Sequence, residues 1–548
     1  MEEYVVTLKR GFDIDQFYDE METKGGTDTI PDREVICSER RPISRNTEYI
    51  LTSDEAEILK TDDRVVDVVL KSILDQVQIK PTWTQTSTDW DKSSTSASTN
   101  RNWGLYRCVN GSQISNWGSD NTSDASATIT TTSSGKNVDF LLVDGHLNPD
   151  HPEFAVNEDG TGGSRVQQFN WLSLTNQVTG GANGTYTYRT GTDLNNSDDN
   201  HGMHVAGTVA GNTQGWARDA NIYYLSPYDG QIASSRLFEY VRAWHNQKSI
   251  NPLTGRRNPT ICNNSWGASY TLVRSNVTLI MYRGVSDPSP FSDANLQSYG
   301  IRNFNATQII VPAYIAANVA DIEDCVNDGI IFVGAAGNES EKIDVQGGSD
   351  YDNYVFTGGV AYYYHRGSWN SSAAKSGVGG QRLSICVGAL SALTNESKAT
   401  FSNCGPRVDL YSPGSNIISP LHPSGGDVTL VDDFRNSSYK LGKYNGTSMA
   451  SPQVSGVLAC LLEQYPNMNQ SDVLNYLSQH SKQSQITATS GGYTDDTDLQ
   501  GSSNSYLFYK KERLETGISV PKNSYKSRNA TTSGVKYPRI NTRVTKRV

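Results

Sequence analysis

The chain has 548 residues, of which 36% are hydrophobic, and a net charge of −11. This length allows one large hydrophobic core together with smaller accessory units. The negative charge disfavours general nucleic-acid binding, and the sequence has no apolar run of membrane-spanning length, so we expect no membrane partner. The seven cysteines lack metal-ligand spacing, and we expect mostly reduced thiols.

Residues 1–70 are expected to form a small α+β domain. Thr52 followed by Glu55 matches the capping box that begins a helix. A helix is also expected at Phe12–Met21, and strands are expected at Tyr4–Leu8, Thr47–Leu51 and Val65–Leu70. Residues 71–101 are rich in Ser, Thr, Asp and Lys, which predicts a linker.

Residues 102–485 alternate short apolar runs with helical segments. Helices are expected at His201–Gly211, Ser234–Asn246, Ala313–Asp328, Ser448–Gln464 and Asn469–Gln479. Strands are expected at Val138–Val143, Ile222–Leu225, Ile261–Ser265, Ile330–Gly334, Leu383–Ala389 and Val408–Tyr411. This alternation predicts a three-layer α/β fold, with a mostly parallel sheet flanked by helices. Within it, residues 340–380 predict an aromatic, Gly-rich loop that either packs on itself or lines a cleft.

Residues 486–548 form a polar tail with a basic end. The last 28 residues hold eight Lys or Arg and no Asp or Glu, so the rest of the chain carries −19. Such a tail is either a solvated or self-docking segment, or an arm for an acidic or assembly partner.

A serine suited to nucleophilic chemistry lies in the segment Asn445–Pro452. Ser448 follows a small-residue turn and opens an apolar helical run. Its hydroxyl would be presented on a sharp turn, and its N–H, at a helix N-terminus, could hold a developing oxyanion. Pro452 would be tolerated among early helix positions, whose N–H groups have no partner. A plain helix start remains the alternative, because Ser is a common N-cap.

Three further residues could complete such a site. His201 is expected at the start of a helix rich in small residues, although a lone histidine is more often structural. Asp144 ends a buried strand, where a carboxylate needs a hydrogen-bond partner. The alternative is that Asp144 is only a turn residue. Asn338 follows another apolar strand, where its amide could donate to an oxyanion or shape a turn.

Together, the order Asp144, His201, Asn338 and Ser448, each within its own motif, resembles the subtilisin-like serine proteases, or subtilases. The resemblance covers about residues 100–485 and implies hydrolysis of peptide bonds in a protein or peptide substrate. It implies that Ser448 is the nucleophile, His201 the base and Asp144 the group that orients the histidine. The side chain of Asn338 and the N–H of Ser448 would form the oxyanion hole.

The resemblance extends to the substrate cleft but departs at the aspartate. Asn263–Gly267 resembles the cleft strand of the family, in which Ser265, Trp266 and Gly267 would wall the S1 pocket and pair with an extended peptide. The family usually has Ser or Thr, then Gly, after the aspartate. Here Gly145 and His146 follow Asp144, which removes a hydroxyl beside the acid.

The resemblance also bears on metal binding. Glu153, in His151-Pro152-Glu153, aligns with an acidic residue that binds calcium in some subtilases. A structural calcium ligand and an ordinary surface acid are the two interpretations of Glu153. No cofactor is expected for the chemistry itself.

Residues 1–70 resemble the inhibitory propeptide of the family. This resemblance implies that the unit assists folding and places the following linker in the cleft until self-cleavage within about residues 75–100. A binding module of similar shape is the alternative.

Two expectations concern the whole protein. Met1–Tyr4 shows no signal-peptide pattern, and Tyr537–Asn541 is similar to a segment of subtilase-like proteins of tailed phages. We therefore expect a cytoplasmic or virion-associated, phage-encoded protein. The altered Asp144 motif and the basic tail also leave open a catalytically impaired subtilase fold that serves as a structural or binding protein.

Overall fold

The chain begins with a four-stranded antiparallel sheet covered by two helices. A computed structural model describes residues 1–23, 26–74, 78–81, 84–85, 103–110, 131, 133–194, 197–302, 304–368, 382–391, 396–423, 428, 430–488 and 497–509. The strand order of the first sheet is 2-3-1-4. Its elements are β1 (Glu2–Leu8), α1 (Ile14–Glu22), β2 (Ile36–Arg40), β3 (Asn46–Leu51), α2 (Ser53–Leu59) and β4 (Val65–Leu70).

The capping box predicted at Thr52 is confirmed. The Thr52 side chain accepts from the Glu55 N–H, and the Glu55 carboxylate accepts from the Thr52 N–H. The sequence did not predict β2, which has no clear apolar alternation and is mostly exposed. We call residues 1–74, which end with α3 (Lys71–Leu74), the N-terminal unit.

The predicted linker contains short elements of regular structure. Its described residues form β5 (Gln78–Pro81) and β6 (Thr84–Gln85), and α4 (Trp103–Asn110) follows. Met1–Lys511 form one compact unit, so the predicted boundaries within this range stay predictions. The basic end of the tail lies outside the described residues.

A mostly parallel nine-stranded sheet forms the centre of the protein, as predicted. Its strands are β7 (Asp139–Val143), β8 (Val166–Gln167), β9 (Asn221–Leu225), β10 (Thr260–Asn264), β15 (Ile331–Ala335), β18 (Ile385–Leu390), β19 (Leu410–Pro413), β23 (Lys482–Gln483) and β24 (Ser505–Tyr506). The order is 23-24-19-18-15-10-7-9-8, and only the pair of β23 with β24 is antiparallel. The inner strands are buried on both faces, which explains their continuous apolar sequences.

Helices cover both faces of this sheet. They are α5 (Thr175–Thr179), α6 (Ser197–Ala210), α7 (Leu237–Gln247), α9 (Ala316–Asn327), α10 (Thr447–Gln464) and α11 (Gln470–His480). The short helix α8 (Asp293–Ser298) instead packs through Leu296 in a separate core with Val277 and Val355. The helices α6 and α10 pack together, and α7 and α9 pack together on the other face. No helix of the described residues has both the length and the apolar character needed to cross a bilayer.

Further strands extend the cleft side of the protein. They are β11 (Trp266–Val273), β12 (Val277–Tyr282), β13 (Val285–Pro288), β14 (Gln308–Pro312), β16 (Tyr354–Thr357), β17 (Val360–Tyr363), β20 (Ile417–Leu421), β21 (Val431–Asp433) and β22 (Asn436–Asn445). The hairpin of β16 and β17 joins β12 and β13, and Val355 and Tyr364 are buried in a shared core. The described part of the segment predicted as a loop at 340–380 thus includes a hairpin that pairs with β12 and packs on residues outside the segment, so it is not a loop packed on itself.

Charged groups join the N-terminal unit to α7 and α9. Arg41 is only 3% exposed, and its guanidinium donates to Glu48 Oε1 at 2.7 Å and to Glu239 Oε1 at 3.1 Å. Arg45 donates to Glu323 Oε2 at 2.7 Å, and Ser44 Oγ donates to Asp321 Oδ1 at 2.7 Å. Buried pairs of this kind bind strongly only while both partners keep their charges and geometry.

The pH dependence of this contact follows from Glu239, which faces Arg41, Arg236 and Asp321. Burial, reinforced by the charge of Asp321, raises the pKa of Glu239 to about 8, and burial raises the pKa of Asp321 to about 6. When the pKa of a carboxyl group is raised in the folded state, the group stabilises the folded state at acidic pH. This contribution to stability is lost as the pH rises through the folded-state pKa. We expect the free energy of unfolding of the Ser448→Ala chain, measured with denaturant, to fall between about pH 4.5 and about pH 8, the ordinary and the folded-state pKa of Glu239.

The matched variants are Glu239→Gln, which should flatten this pH dependence, and Glu57→Gln, which should leave it unchanged. The Glu57 side chain is 71% exposed and lies in the same unit. An equal slope in all three proteins would contradict the assignment to Glu239.

Candidate functional site

The turn that carries Ser448 begins at a glycine with an unusual backbone. Gly446 has φ +156° and ψ +160°, a conformation that a residue with a Cβ rarely adopts, and it precedes α10. Ser448 is the second residue of α10 and is fully buried. Its Oγ donates to the Ser265 carbonyl at 2.7 Å. The sequence therefore places Ser448 at a helix N-terminus, as predicted.

Pro452 lies deeper in the helix than we expected. Because α10 begins at Thr447, the missing N–H of Pro452 is an interior one, and the Ser448 carbonyl four residues earlier loses its helical donor. Ser265 Oγ donates to that carbonyl at 3.0 Å and also contacts Ser451 Oγ at 2.8 Å. Ser265 thus holds the serine turn against the strand that it precedes, β11.

The predicted aspartate and histidine are in contact. Asp144 follows β7, and its Oδ1 lies 2.8 Å from His201 Nδ1 and accepts from the Gly145 N–H at 2.7 Å. Both side chains are fully buried. The helix that carries His201 begins at Ser197, four residues earlier than expected, so His201 lies in its second turn. Since α6 packs against α10, the structure brings the helices of His201 and Ser448 together.

Packing explains the glycine that follows the aspartate. A Cβ at Gly145 would lie 2.0 Å from the carbonyl oxygen of Asp198, and a Cβ at Gly202 would lie 2.6 Å from the carbonyl oxygen of Gly145. The strand end and the start of α6 therefore touch through their backbones. A serine or threonine at 145 cannot fit at this separation.

His146, the other departure from the family pattern, connects the same two elements. Its N–H donates to Asp199 Oδ1 at 2.8 Å, and its Nε2 lies 3.0 Å from Asp229 Oδ2. The ring is fully buried and stacks on Tyr186. His146 therefore joins the end of β7 to α6 and to the loop after β9.

Asn338 is held through its amide oxygen by Thr447, the first residue of α10. The Asn338 Oδ1 accepts from the Thr447 N–H at 2.8 Å and from Thr447 Oγ1 at 2.9 Å. A backbone N–H can only donate, so the atom facing it must be the amide oxygen. Asn338 Nδ2 is buried and has no hydrogen-bond acceptor among the described residues. The sequence analysis missed this positioning role of Thr447, although the residue stands within the serine motif.

The chain's own segment after the N-terminal unit lies along the predicted cleft. The backbone of β5 pairs antiparallel with β11, with Pro81 opposite Trp266 and Lys80 opposite Gly267. Shortly afterwards β6 pairs with β22, with Thr84 opposite Asn445. Trp266 packs its ring in the core and donates to the Val143 carbonyl at 2.6 Å, so its backbone rather than its ring faces this segment.

Glu153 is fully buried, which excludes the surface-acid interpretation. Its carboxylate accepts from Arg435, from the Thr213 hydroxyl and N–H, and from the Gln214 N–H at 3.0 Å. The positive charge of Arg435 and these hydrogen bonds lower the pKa of Glu153 despite the burial that opposes them.

The donor set does not suit calcium, because calcium needs several oxygen ligands and this carboxylate is already bonded to N–H groups, a hydroxyl and a guanidinium. No cluster of His, Cys, Asp and Glu suitable for a metal occurs among the described residues. The expectation of a calcium ligand at Glu153 therefore lacks support in these contacts. Sequence alone could not pair Glu153 with Arg435, which lies 282 residues later.

The sequence is similar to known proteins of one family. Residues 135–506 match the model of the subtilase family. Subtilisin-like protease 5 of Arthroderma gypseum is 28% identical over 273 residues, which is 49% of this chain and 45% of that protein. Subtilisin-like protease 5 of Trichophyton tonsurans is 44% identical over 79 residues, 14% of this chain and 16% of that protein. The chain thus spans less than half the length of these curated relatives.

Solved structures were also compared. A cold adapted subtilisin-like serine proteinase has a TM-score of 0.43 and 19% identity, covering 75% of this chain and 100% of that chain. Fervidolysin from Fervidobacterium pennivorans, a keratinolytic enzyme related to subtilisin, has a TM-score of 0.45 and 16% identity. The match covers 92% of this chain and 60% of that chain.

The fold and the site define an α/β protein with a buried Asp–His pair, whose histidine lies on a helix packed against the helix that begins at the serine turn. The family model covers more than half of the sequence. The chain belongs to the subtilase family.

The contact at Gly145 predicts the effect of restoring the usual family residue. Gly145→Ser should destabilise the protein by about 1–3 kcal/mol through overpacking. It should also lower kcat/KM for a peptide substrate by about 100-fold, because displacing α6 moves His201. Thermal unfolding and peptide hydrolysis measure the two effects.

The control is Gly184→Ser, because a Cβ at Gly184 meets only ordinary contacts, the nearest at 3.4 Å. Wild-type activity in Gly145→Ser would show that the backbone contact is not required.

Proposed function

We propose that this protein is a serine endopeptidase in which Asp144, His201 and Ser448 form the catalytic triad. The observation that carries the proposal is the buried contact of 2.8 Å between Asp144 Oδ1 and His201 Nδ1, on a helix packed against the helix of Ser448. A buried aspartate that accepts from Nδ1 leaves Nε2 as the ring atom available for proton transfer. Membership of the subtilase family supports the same reaction.

The reaction follows from these positions. Ser448 Oγ exchanges its hydrogen bond to the Ser265 carbonyl for one to His201, gives its proton to Nε2 and attacks the substrate carbonyl. Asp144 holds the imidazole in the correct tautomer and stabilises the imidazolium. His201 then passes the proton to the leaving amine, and water hydrolyses the acyl-enzyme by the same route.

Asn338 and the Ser448 N–H are proposed to bind the oxyanion. The support is the fixed orientation of the Asn338 amide, whose oxygen is occupied by Thr447 while its nitrogen remains a buried donor. A donor held in place before the reaction stabilises the transition state without reorganisation. No metal or cofactor takes part in this proposal.

The N-terminal unit is proposed to act as a propeptide that is removed by self-cleavage. Its support is the backbone path of β5 and β6, which pair with β11 on one side of Ser448 and with β22 on the other. The bond cut should therefore lie between Pro81 and Thr84, and we expect the middle one, between residues 82 and 83. This interval lies inside the predicted range of 75–100.

Self-cleavage provides the first test. We expect the purified wild-type chain to show a new N-terminus at residue 83 by mass spectrometry, and Ser448→Ala to remain intact. Ser478→Ala is the matched control, because Ser478 is an exposed serine on α11, a helix that carries none of the proposed site residues.

Cleavage of Ser448→Ala at the wild-type rate would refute the nucleophile. Failure of a fluorophosphonate probe to label the wild-type protein, before or after limited proteolysis, would instead favour a non-catalytic scaffold.

The oxyanion role is tested separately. Asn338→Ala should lower kcat by about 100- to 1,000-fold, which corresponds to about 3–4 kcal/mol, with little change in KM. Thr447→Ser keeps the hydroxyl that positions Asn338 and should retain most of the activity. A small effect on kcat combined with a large rise in KM would assign Asn338 to ground-state binding.

A further inference from the structure

The cleft strand β11 is longer than the segment that pairs with it. On one edge, β14 pairs with Ser269–Val273. On the other edge, β5 pairs with Trp266–Ser269 only. Four residues of β11 thus extend beyond the start of β5, on the edge that the proposed propeptide segment occupies.

The direction of the backbone groups on β11 follows from its contacts with the β14 side. The Ala268 carbonyl accepts from the Ala313 N–H at 2.8 Å, and the Arg274 N–H donates to the Thr307 carbonyl at 2.8 Å. Ser269 lies opposite Pro312, which has no N–H to give. Since backbone groups alternate along a strand, even-numbered residues of β11 point to β14 and odd-numbered residues point to the β5 edge.

Four odd-numbered residues therefore form a regular row on the β5 edge. Gly267 and Ser269 meet β5, and Thr271 and Val273 continue the row. Among the described residues, no strand pairs with Thr271 or Val273 on this edge. Both residues are exposed, and the Val273 side chain is 50% exposed. An exposed strand edge with free backbone groups is a template for another strand.

The N-terminal unit does not use the far end of this edge. If the register between β5 and β11 continued, residue 74 would lie opposite Val273. Leu74 instead ends the helix α3 and is buried in the main core, only 8% exposed. Among the residues that the structure describes, the chain's own segment thus leaves the edge at Val273 open, although β14 keeps it extended.

We propose that Thr271 and Val273 extend the substrate-binding site, so that an unfolded substrate pairs as a strand along the whole of β11. The substrate residues concerned lie four and six positions before the residue that pairs with Gly267. With cleavage between positions 82 and 83, they are the seventh and ninth residues before the cut bond. The inference rests on the proposed protease function and makes the substrate class a long, extended polypeptide.

Peptide length tests this inference on the full-length wild-type protein after its own processing. Quenched fluorescent peptides with the sequence of this chain up to residue 90 would begin at residue 78, 76 or 74. Each additional pair with the edge should raise kcat/KM by about 3- to 10-fold, as expected for one further set of backbone hydrogen bonds.

The alternation of the strand gives a sharper test. N-methylation of the peptide at position 76 or 74 should remove the rise in kcat/KM with peptide length, because the amide at position 76 faces Thr271 and the amide at position 74 faces Val273. N-methylation at position 75 or 77 should leave it, because those amides point away from β11. Equal effects at all four positions, or equal rates for all lengths, would overturn the inference.

A matched pair of enzyme variants completes the design. Val273→Pro removes an N–H on the open edge without removing one from the β14 ladder, and Val273→Ala keeps that N–H. Only the proline variant should lose the higher kcat/KM for the longest peptide, and it should still cleave the shortest peptide at the normal rate. Absence of cleavage of every peptide by the wild type would refute the proposed function itself, which is a different outcome.

Discussion

The close approach of a strand end to a helix is the constraint on which the site depends. Gly145 and Gly202 let the backbones of the β7 end and α6 touch, and a Cβ on either would meet main-chain atoms below 3 Å. The contact brings His201 to Asp144 in a fully buried position, where an unpartnered carboxylate would be costly. It explains why this chain has glycine where the family usually has a hydroxyl residue. The altered motif is thus a packing feature and gives no reason by itself to infer a dead enzyme.

A second dependence links Ser448 to β11. Pro452 removes a helical donor, and Ser265 supplies its replacement to the Ser448 carbonyl. The same Ser265 accepts from the Ser448 hydroxyl through its carbonyl and leads directly into β11. The turn that carries Ser448 and the strand that pairs with β5 are therefore held together by one residue. In the proposed mechanism, substrate binding along β11 and attack by Ser448 would depend on this same residue.

The N-terminal unit is held in two physically different ways. Its body contacts α7 and α9 through buried charges such as Arg41 and Arg45. The segment after it uses backbone pairing along β11 and β22, which any extended sequence can form. In the proposed function, a substrate would replace the second contact but not the first. Release of the N-terminal unit from α7 and α9 and displacement of the following segment from β11 and β22 therefore break different contacts.

The sequence by itself determined six of the nine strands of the central sheet, five of the helices that flank it, the capping box at Thr52 and the four motifs around Asp144, His201, Asn338 and Ser448. These features are local, because periodicity, caps and short motifs are set by neighbouring residues. The start of α6, the strands β5 and β6 and the burial of Glu153 by Arg435 were decided only by the tertiary structure. The contact between Ser265 and Ser448 joins residues 183 positions apart. Such contacts depend on how distant elements pack, and no local pattern encodes them.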